Sequence, residues 1–243
     1  MIENMVHTST EHEVLAVVFQ VRHFEDTATS ADTPIPTPEL AVLLWQRALE
    51  PHRGAWALPG GQVRTDEDLP SSIRRQLAEK VDVRELAHLE QLAVFSAPGR
   101  VPGPRTIAST FLGLVPFPAT PELPADTQWH RVSTLPAMAF DHQVMVAHAH
   151  ARLIAKMSYT NIGFALAPQQ FTLSTLRDIY CATLGYPVDA TNLQRVLVRR
   201  GVLTPTGTTV RSGRSGGRPA ALYRFTDDRY RVTDEFAALR PPG

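Results

Sequence analysis

The chain of 243 residues has one cysteine, Cys181. A single thiol excludes an intrachain disulfide and a zinc site built from cysteines. Its expected place is as a small buried side chain. No apolar run approaches the roughly 18 residues that a membrane helix needs. The start, Met1 to Glu13, is polar and acidic, with no apolar stretch beside a basic one, which argues against a signal peptide. A soluble cytoplasmic protein is expected, with no membrane partner. Net charge is also lacking, at zero overall. That balance hides an asymmetry. Residues 1–150 hold 11 Arg and Lys against 18 Asp and Glu, a net −7, whereas residues 151–230 hold 11 against 4, a net +7. A basic C-terminal half on a neutral chain points to a polyanion as its partner.

Apolar patterning divides the chain in the same place. Val14–Arg22 and Leu40–Arg47 read as strands, joined by a Thr/Pro/Ala/Asp loop over Thr27–Pro38. Trp56-Ala-Leu-Pro-Gly-Gly61 reads as a strand running into a tight turn. A helix is expected from about Leu69 to Val81, with Ile73, Leu77 and Val81 at four-residue steps on one face and Pro70 in the first turn. Leu89–Phe95 and Ile107–Val115 read as further strands, separated by the Pro/Gly/Arg loop Pro98–Arg105. Four prolines in Pro116–Pro124 end regular structure there. A long helix follows through Met157, with Asp141 as its N-cap. His142, His148 and His150 are not at the spacing of one helix face and read as solvated or capping residues rather than metal ligands.

Beyond this helix come two short ones. Thr172 caps the first, whose apolar side is Leu173, Leu176, Ile179 and Tyr180. Asp189 caps the second, which stops at Gly201. A loop over Thr204–Pro219 and an alternating strand, Ala221–Phe225, complete the outline of a winged helix. The second helix has an apolar face (Leu193, Val196, Leu197) and a polar one (Asn192, Arg195, Arg199). A recognition helix needs both, one for its core and one for the major groove. Arginine pairs well with guanine and asparagine with adenine, so Asn192, Arg195 and Arg199 are candidate base readers, with Gln194 at the margin. Thr172 and Ser174 stand at a helix start, where hydroxyls and backbone N–H groups hold phosphate. Arg211, Arg214 and Arg218 lie among the glycines of one loop, which gives charge and close approach to a DNA backbone or minor groove.

In the N-terminal half, Gly61, Glu67 and Arg75 lie at the spacing of a Nudix box. The box continues Arg75-Gln-Leu-Ala-Glu79-Lys-Val-Asp82-Val83, with Gln76, Lys80 and Asp82 where two glutamates and a glycine are expected. Hydrolases of this kind converge several glutamates on magnesium or manganese, which bridges a diphosphate and activates water. Lys80 puts a positive charge there instead. Two like charges 4 Å apart near a surface repel by about 4 kcal/mol. Little or no hydrolysis is expected.

Taken with Leu89-Glu-Gln-Leu92, Phe140-Asp-His142, Tyr159-Thr160, Phe171-Thr-Leu-Ser174, Gly217-Arg-Pro-Ala220 and Tyr223-Arg-Phe225, these motifs resemble the Nudix-related transcriptional regulators, NrtR, over about residues 12–226. The resemblance implies an α/β Nudix-type sandwich, a mixed sheet with helices, joined to a C-terminal winged helix-turn-helix domain. It implies a Nudix-like effector and dimerisation domain over 1–140, a connecting helix over 141–160 and a DNA-binding domain over 161–243. It further implies a homodimeric repressor of NAD biosynthesis or salvage genes on a palindromic operator, with no required cofactor. An NAD-derived nucleotide such as ADP-ribose is the expected effector. Arg47, Trp56, Gly60, Gly61, Arg75 and Glu79 are its candidate ligand residues. Two rivals stay open at this point: a Nudix hydrolase acting on ADP-ribose, and a winged helix that binds another protein.

Overall fold

One long strand, β1 (Glu11–Arg22), organises the molecule because both of its faces are apolar. Val14, Ala16 and Val18 point to one side, and Leu15, Val17, Phe19 and Val21 to the other. A strand buried on both faces needs a layer on each side, and here each layer is a helix. The computed structural model describes residues 10–24, 37–117, 119–210 and 219–234.

The sheet is mixed. It contains β2 (Glu39–Gln46), β3 (Trp56–Ala57), β4 (Gly60–Gln62), β5 (His88–Phe95), β6 (Thr106–Leu114) and β7 (Thr127–Arg131). Its order is β3-β2-β1-β6-β5, with β4 paired to β1 and β7 to β2. β6 runs parallel to β1, and β2 and β4 run antiparallel to it. β7 was not expected from the sequence. Its pattern Thr-Gln-Trp-His-Arg is mostly polar, and it is held by edge pairing with β2 rather than by a buried stripe.

α1 (Leu69–Val81) has the expected bounds. Asp68 caps it, its Oδ1 accepting from the Ser71 N–H at 2.8 Å. Ile73, Leu77 and Val81 are fully buried against β1 and β6 residues such as Val18 and Phe111. The helix ends at Asp82 in the left-handed region, φ 51°, where the N–H returns to the Leu77 carbonyl. A glycine suits that conformation best, and aspartate is among the few residues that tolerate it.

α2 (His142–Tyr159) covers the opposite face. Asp141 stands at its N-terminus but its side chain does not cap the helix. Its carboxylate is instead gripped by Arg100, at 2.9 and 2.7 Å. Met145, Val146, Ala149, Leu153 and Met157 share one continuous apolar cluster with Leu15 and Phe19 of the sheet and with Leu176, Ile179, Leu193 and Leu197 beyond. The connecting helix is therefore part of the core.

The C-terminal part consists of β8 (Phe171–Thr172), α3 (Leu173–Leu184), α4 (Ala190–Arg199), β9 (Leu203–Val210) and β10 (Ala220–Phe225). The strands form a sheet in the order β8-β10-β9. The expected loop over Thr204–Pro219 is thus largely strand as far as Val210. Pro205 and Gly207 disguise it, but β9 is an edge strand, where a missing N–H is tolerated. Residues 211–218, with Arg211, Arg214 and Arg218, lie outside the described residues. So do residues 27–36 of the expected Thr27–Pro38 loop. After β10 the chain returns to α2, where Thr233 and Asp234 donate their N–H groups to the Tyr159 carbonyl at 2.8 and 3.1 Å.

Candidate functional site

The box places its turn and helix against each other closely. Gly60 has φ 157°, and a Cβ there would lie 2.0 Å from the Val14 carbonyl. Only glycine fits this approach. A Cβ on Gly61 would meet the buried Gln76 amide at 2.8 Å. Gln76 donates from Nε2 to the Gln62 carbonyl at 3.3 Å, and its Oε1 is buried without a partner among the described residues.

Arg75 engages Glu67, in the turn before α1, and Glu79 on the helix. Its Nε and Nη2 donate to Glu67 at 2.9 and 2.5 Å, and its Nη1 donates to Glu79 at 3.1 Å. The hydrogen bonds from Arg75 hold the Glu67 carboxyl at a pKa of about 2. Lys80 donates its Nζ to the Gly60 carbonyl and lies 5.0 Å from the centroid of the Trp45 ring. Burial lowers its pKa, and the charge of Arg75 adds to that. A hard divalent cation needs several converging oxygens. Here Glu67 and Glu79 are neutralised by one guanidinium, and an ammonium sits on the turn carbonyl. These residues do not fit a divalent cation. Among the described residues no group of three or more His, Cys, Asp or Glu is disposed to hold a metal ion.

A second group of residues gathers around Arg47 and the start of α2, of which sequence reasoning did not single out His52, His130 and Arg100. Arg47 lies 4.7 Å from the Phe140 ring centroid, and His52 packs on the same ring at 5.0 Å. Phe140 and His52 both have positive φ, 53° and 67°. Such conformations cost about 1–3 kcal/mol each and persist where surrounding structure imposes them. Trp56 stacks edge-on with His130 at 4.3 Å, and its carbonyl accepts from the Ala139 N–H. His142 is buried, contrary to the expectation of a solvated or capping residue. Its Nδ1 accepts from the Leu58 N–H at 3.0 Å, and burial pushes its pKa down to about 4. Arg100, whose side chain is 2% exposed, binds Glu13 at 2.7 Å as well as Asp141. It ties the loop between β5 and β6 to β1 and to the start of α2. Of the six candidate ligand residues, Arg47 packs on Phe140, Gly60 accepts from Lys80, and Trp56 is joined to Ala139 and His130. Arg75 and Glu79 form the ion-pair network of the helix, and Gly61 packs on Gln76.

The candidate DNA face is carried by α4, which Asp189 caps through the Asn192 N–H at 2.7 Å. Leu193 and Leu197 bury one side of the helix. Asn192, Arg195 and Arg199 are exposed on another. Arg195 donates to the Asn192 Oδ1 at 2.8 Å, so two candidate base readers are already held together. Gln194 is half-buried and donates to the Tyr223 hydroxyl at 3.0 Å, which anchors α4 to β10. Thr172 caps α3, accepting from the Thr175 N–H at 3.1 Å, and Ser174 is exposed at the same helix start. Arg200, which sequence reasoning passed over, donates to the Ser158 carbonyl at 2.7 Å and to Asp234 at 2.8 Å. Cys181 is half-buried rather than buried, and lines a cavity of about 550 Å³ with His150 and Arg177. His150 bonds to the Thr183 carbonyl at 2.9 Å, and His148 is exposed.

The profile of the NrtR DNA-binding winged helix domain matches residues 163–225, and that of the NUDIX domain matches residues 26–156. The chain is 33% identical over 194 residues to the ADPR responsive transcriptional repressor NtrR of Acinetobacter baylyi, spanning 77% of this chain and 76% of that protein. The structure is similar to that of Shewanella oneidensis NrtR complexed with a 27mer DNA, with a TM-score of 0.69 at 29% identity, over 88% of this chain and 93% of the other. A MutT/nudix family protein from Enterococcus faecalis shares the fold, with a TM-score of 0.70 at 23% identity over 91% of this chain and 90% of that one.

Proposed function

Because the chain belongs to the NrtR family, which joins a Nudix domain to a winged helix, we propose that it is a transcriptional repressor of NAD biosynthesis or salvage genes that is released from DNA by ADP-ribose. The observation that carries this reading is the exposed row Asn192, Arg195 and Arg199 on a helix whose other side is locked into the core. The relative from Acinetobacter baylyi is described as an ADPR-responsive repressor, and the Shewanella oneidensis relative is seen with DNA. Both support the assignment.

The Nudix half binds its nucleotide without hydrolysing it. Support comes from the box itself, where Arg75 occupies Glu67 and Glu79, and where Gln76 and Lys80 replace glutamates. The active form is a homodimer. Val144 and Ala147, Ala151 and Ala155 are exposed at helical spacing along α2, and Val94 is exposed on the edge strand β5. A second copy would cover this surface. Two-fold symmetry then calls for a palindromic operator with half-sites about one or more helical turns apart.

Fluorescence anisotropy tests the reading. The full chain is titrated onto DNA from upstream of its host's NAD-synthesis genes and onto scrambled DNA, with and without ADP-ribose. Tight binding that needs the palindrome, relieved by ADP-ribose, is expected. Equal weak binding to both DNAs would overturn it.

A further inference from the structure

The cation at the glycine turn of the box is a residue of the chain. Lys80 Nζ sits on the Gly60 carbonyl and under the Trp45 ring, which is itself fixed by its Nε1 donating to the Leu58 carbonyl at 3.0 Å. The carboxylates whose fields reach Lys80 are Glu13 and Glu79. Both are committed elsewhere: Glu13 to Arg100 at 2.7 Å, and Glu79 to Arg75 at 3.1 Å. An ammonium has three N–H donors and no acceptor. One is used on Gly60, and among the described residues Lys80 forms no ion pair. The guanidinium of Arg47 adds to the positive field at the same point. A half-buried ammonium with donors to spare, held against a glycine turn that admits no side chain, is arranged to receive an anion.

We propose that the Lys80 ammonium holds the diphosphate of the nucleotide effector, so that this chain binds its effector without a divalent metal. The proposal rests on the effector reading above. The physical reason is a matter of charge and chemistry. An ammonium attracts and hydrogen-bonds phosphate oxygens, as a metal ion does, but it does not lower the pKa of a bound water to make a nucleophile. The substitution that removes a carboxylate from the box therefore supplies the counter-charge for the ligand and leaves the diphosphate intact. The contact is charge-assisted, and such hydrogen bonds are about twice as strong as neutral ones.

Isothermal titration calorimetry of the full chain with ADP-ribose, in EDTA and in magnesium, is the experiment. The expected dissociation constant is the same within about twofold in the two buffers. Lys80→Met weakens binding at least tenfold and Lys80→Arg restores most of it, with melting by circular dichroism as the check that each variant folds. The double variant Gln76→Glu with Lys80→Glu converts binding to a metal-dependent form. Binding by the natural chain only when magnesium is present, or wild-type affinity in a folded Lys80→Met, overturns the proposal. If ADP-ribose does not bind at all, the effector reading fails, and inorganic pyrophosphate becomes the probe. EDTA-insensitive binding of pyrophosphate that Lys80→Met removes then upholds the ammonium site, and its absence overturns that too.

Discussion

His142 shows what a single buried side chain does to stability across pH. Its imidazole is buried and uncharged because its Nδ1 must accept from the Leu58 N–H. Burial lowers its pKa from about 6.5 to about 4. In the unfolded chain the same group takes up a proton near pH 6.5, so between those two values the unfolded state binds more protons than the folded one. Stability therefore rises with pH across this window and is lost as pH falls from about 6.5 to 4. The full effect is about 3 kcal/mol. Urea titrations at pH 7.5 and pH 4.5 on the natural chain and on His142→Gln measure it. The glutamine variant is expected to lack the part of the slope that lies between those pH values. An unchanged slope would assign the acid sensitivity to other groups. This histidine also shows a limit of sequence reading. His142, His148 and His150 look alike in the chain, but only the packing of α2 on the β3 region puts the first inside and leaves the third on the Thr183 carbonyl.

At the scale of elements, α4 and the arginines of residues 211–218 are expected to have separable duties in DNA binding. Arg195→Ala on α4 is expected to cost about 1–3 kcal/mol of operator affinity and to relax preference at one base position. Arg214→Ala is expected to weaken binding to all sequences alike and to reduce the salt slope by about one. Gln194→Ala acts differently, since Gln194 is tied to Tyr223. It should lower stability by about 1 kcal/mol and leave base preference unchanged. Anisotropy on operators with single base changes, at three salt concentrations, separates the three. The short helices were legible from an apolar stripe of helical period joined to a start signal: Pro70 in the first turn of α1, and the caps Thr172 on α3 and Asp189 on α4. The missed strands have neither signal. β8 is two residues long, β9 holds Pro205 and Gly207, and β7 is mostly polar. They exist because a neighbour offers a free edge, which no local window of sequence contains. The Nudix half divides likewise. Gly60, Gly61, Arg75 and Phe140 stand in motifs and were named, whereas Arg100 and His52 arrive from loops that only the fold brings to Glu13 and to the Phe140 ring.

For the whole molecule, the question is whether the Nudix half and the winged helix melt as one. The apolar cluster is continuous from Phe19 in β1 through Met145 and Leu153 in α2 to Leu176 and Leu197. Beside it runs a polar tie. Lys156, whose side chain is 8% exposed, donates to Glu90 of β5 at 2.9 Å and to the Tyr230 hydroxyl at 2.8 Å. Burial alone would lower its pKa, but these bonds outweigh that and raise it, so the ammonium is kept charged. Tyr230 belongs to the returning segment whose Arg231 donates to the Gly201 carbonyl at 2.9 Å, just past α4. A single calorimetric transition is expected, since no part can unfold without exposing the shared core. Lys156→Met leaves the half-buried Glu90 with His88 as its one remaining partner among the described residues, and breaking such a pair from one side costs about 3 kcal/mol, the low end for buried pairs. Tm should then fall by roughly 10 °C, and adding Glu90→Gln should recover much of the loss because the uncompensated charge is gone. Two resolved transitions in the natural chain would mean that α2 belongs energetically to one half alone. A Lys156→Met protein as stable as its parent would mean that the tie adds nothing to the core it accompanies.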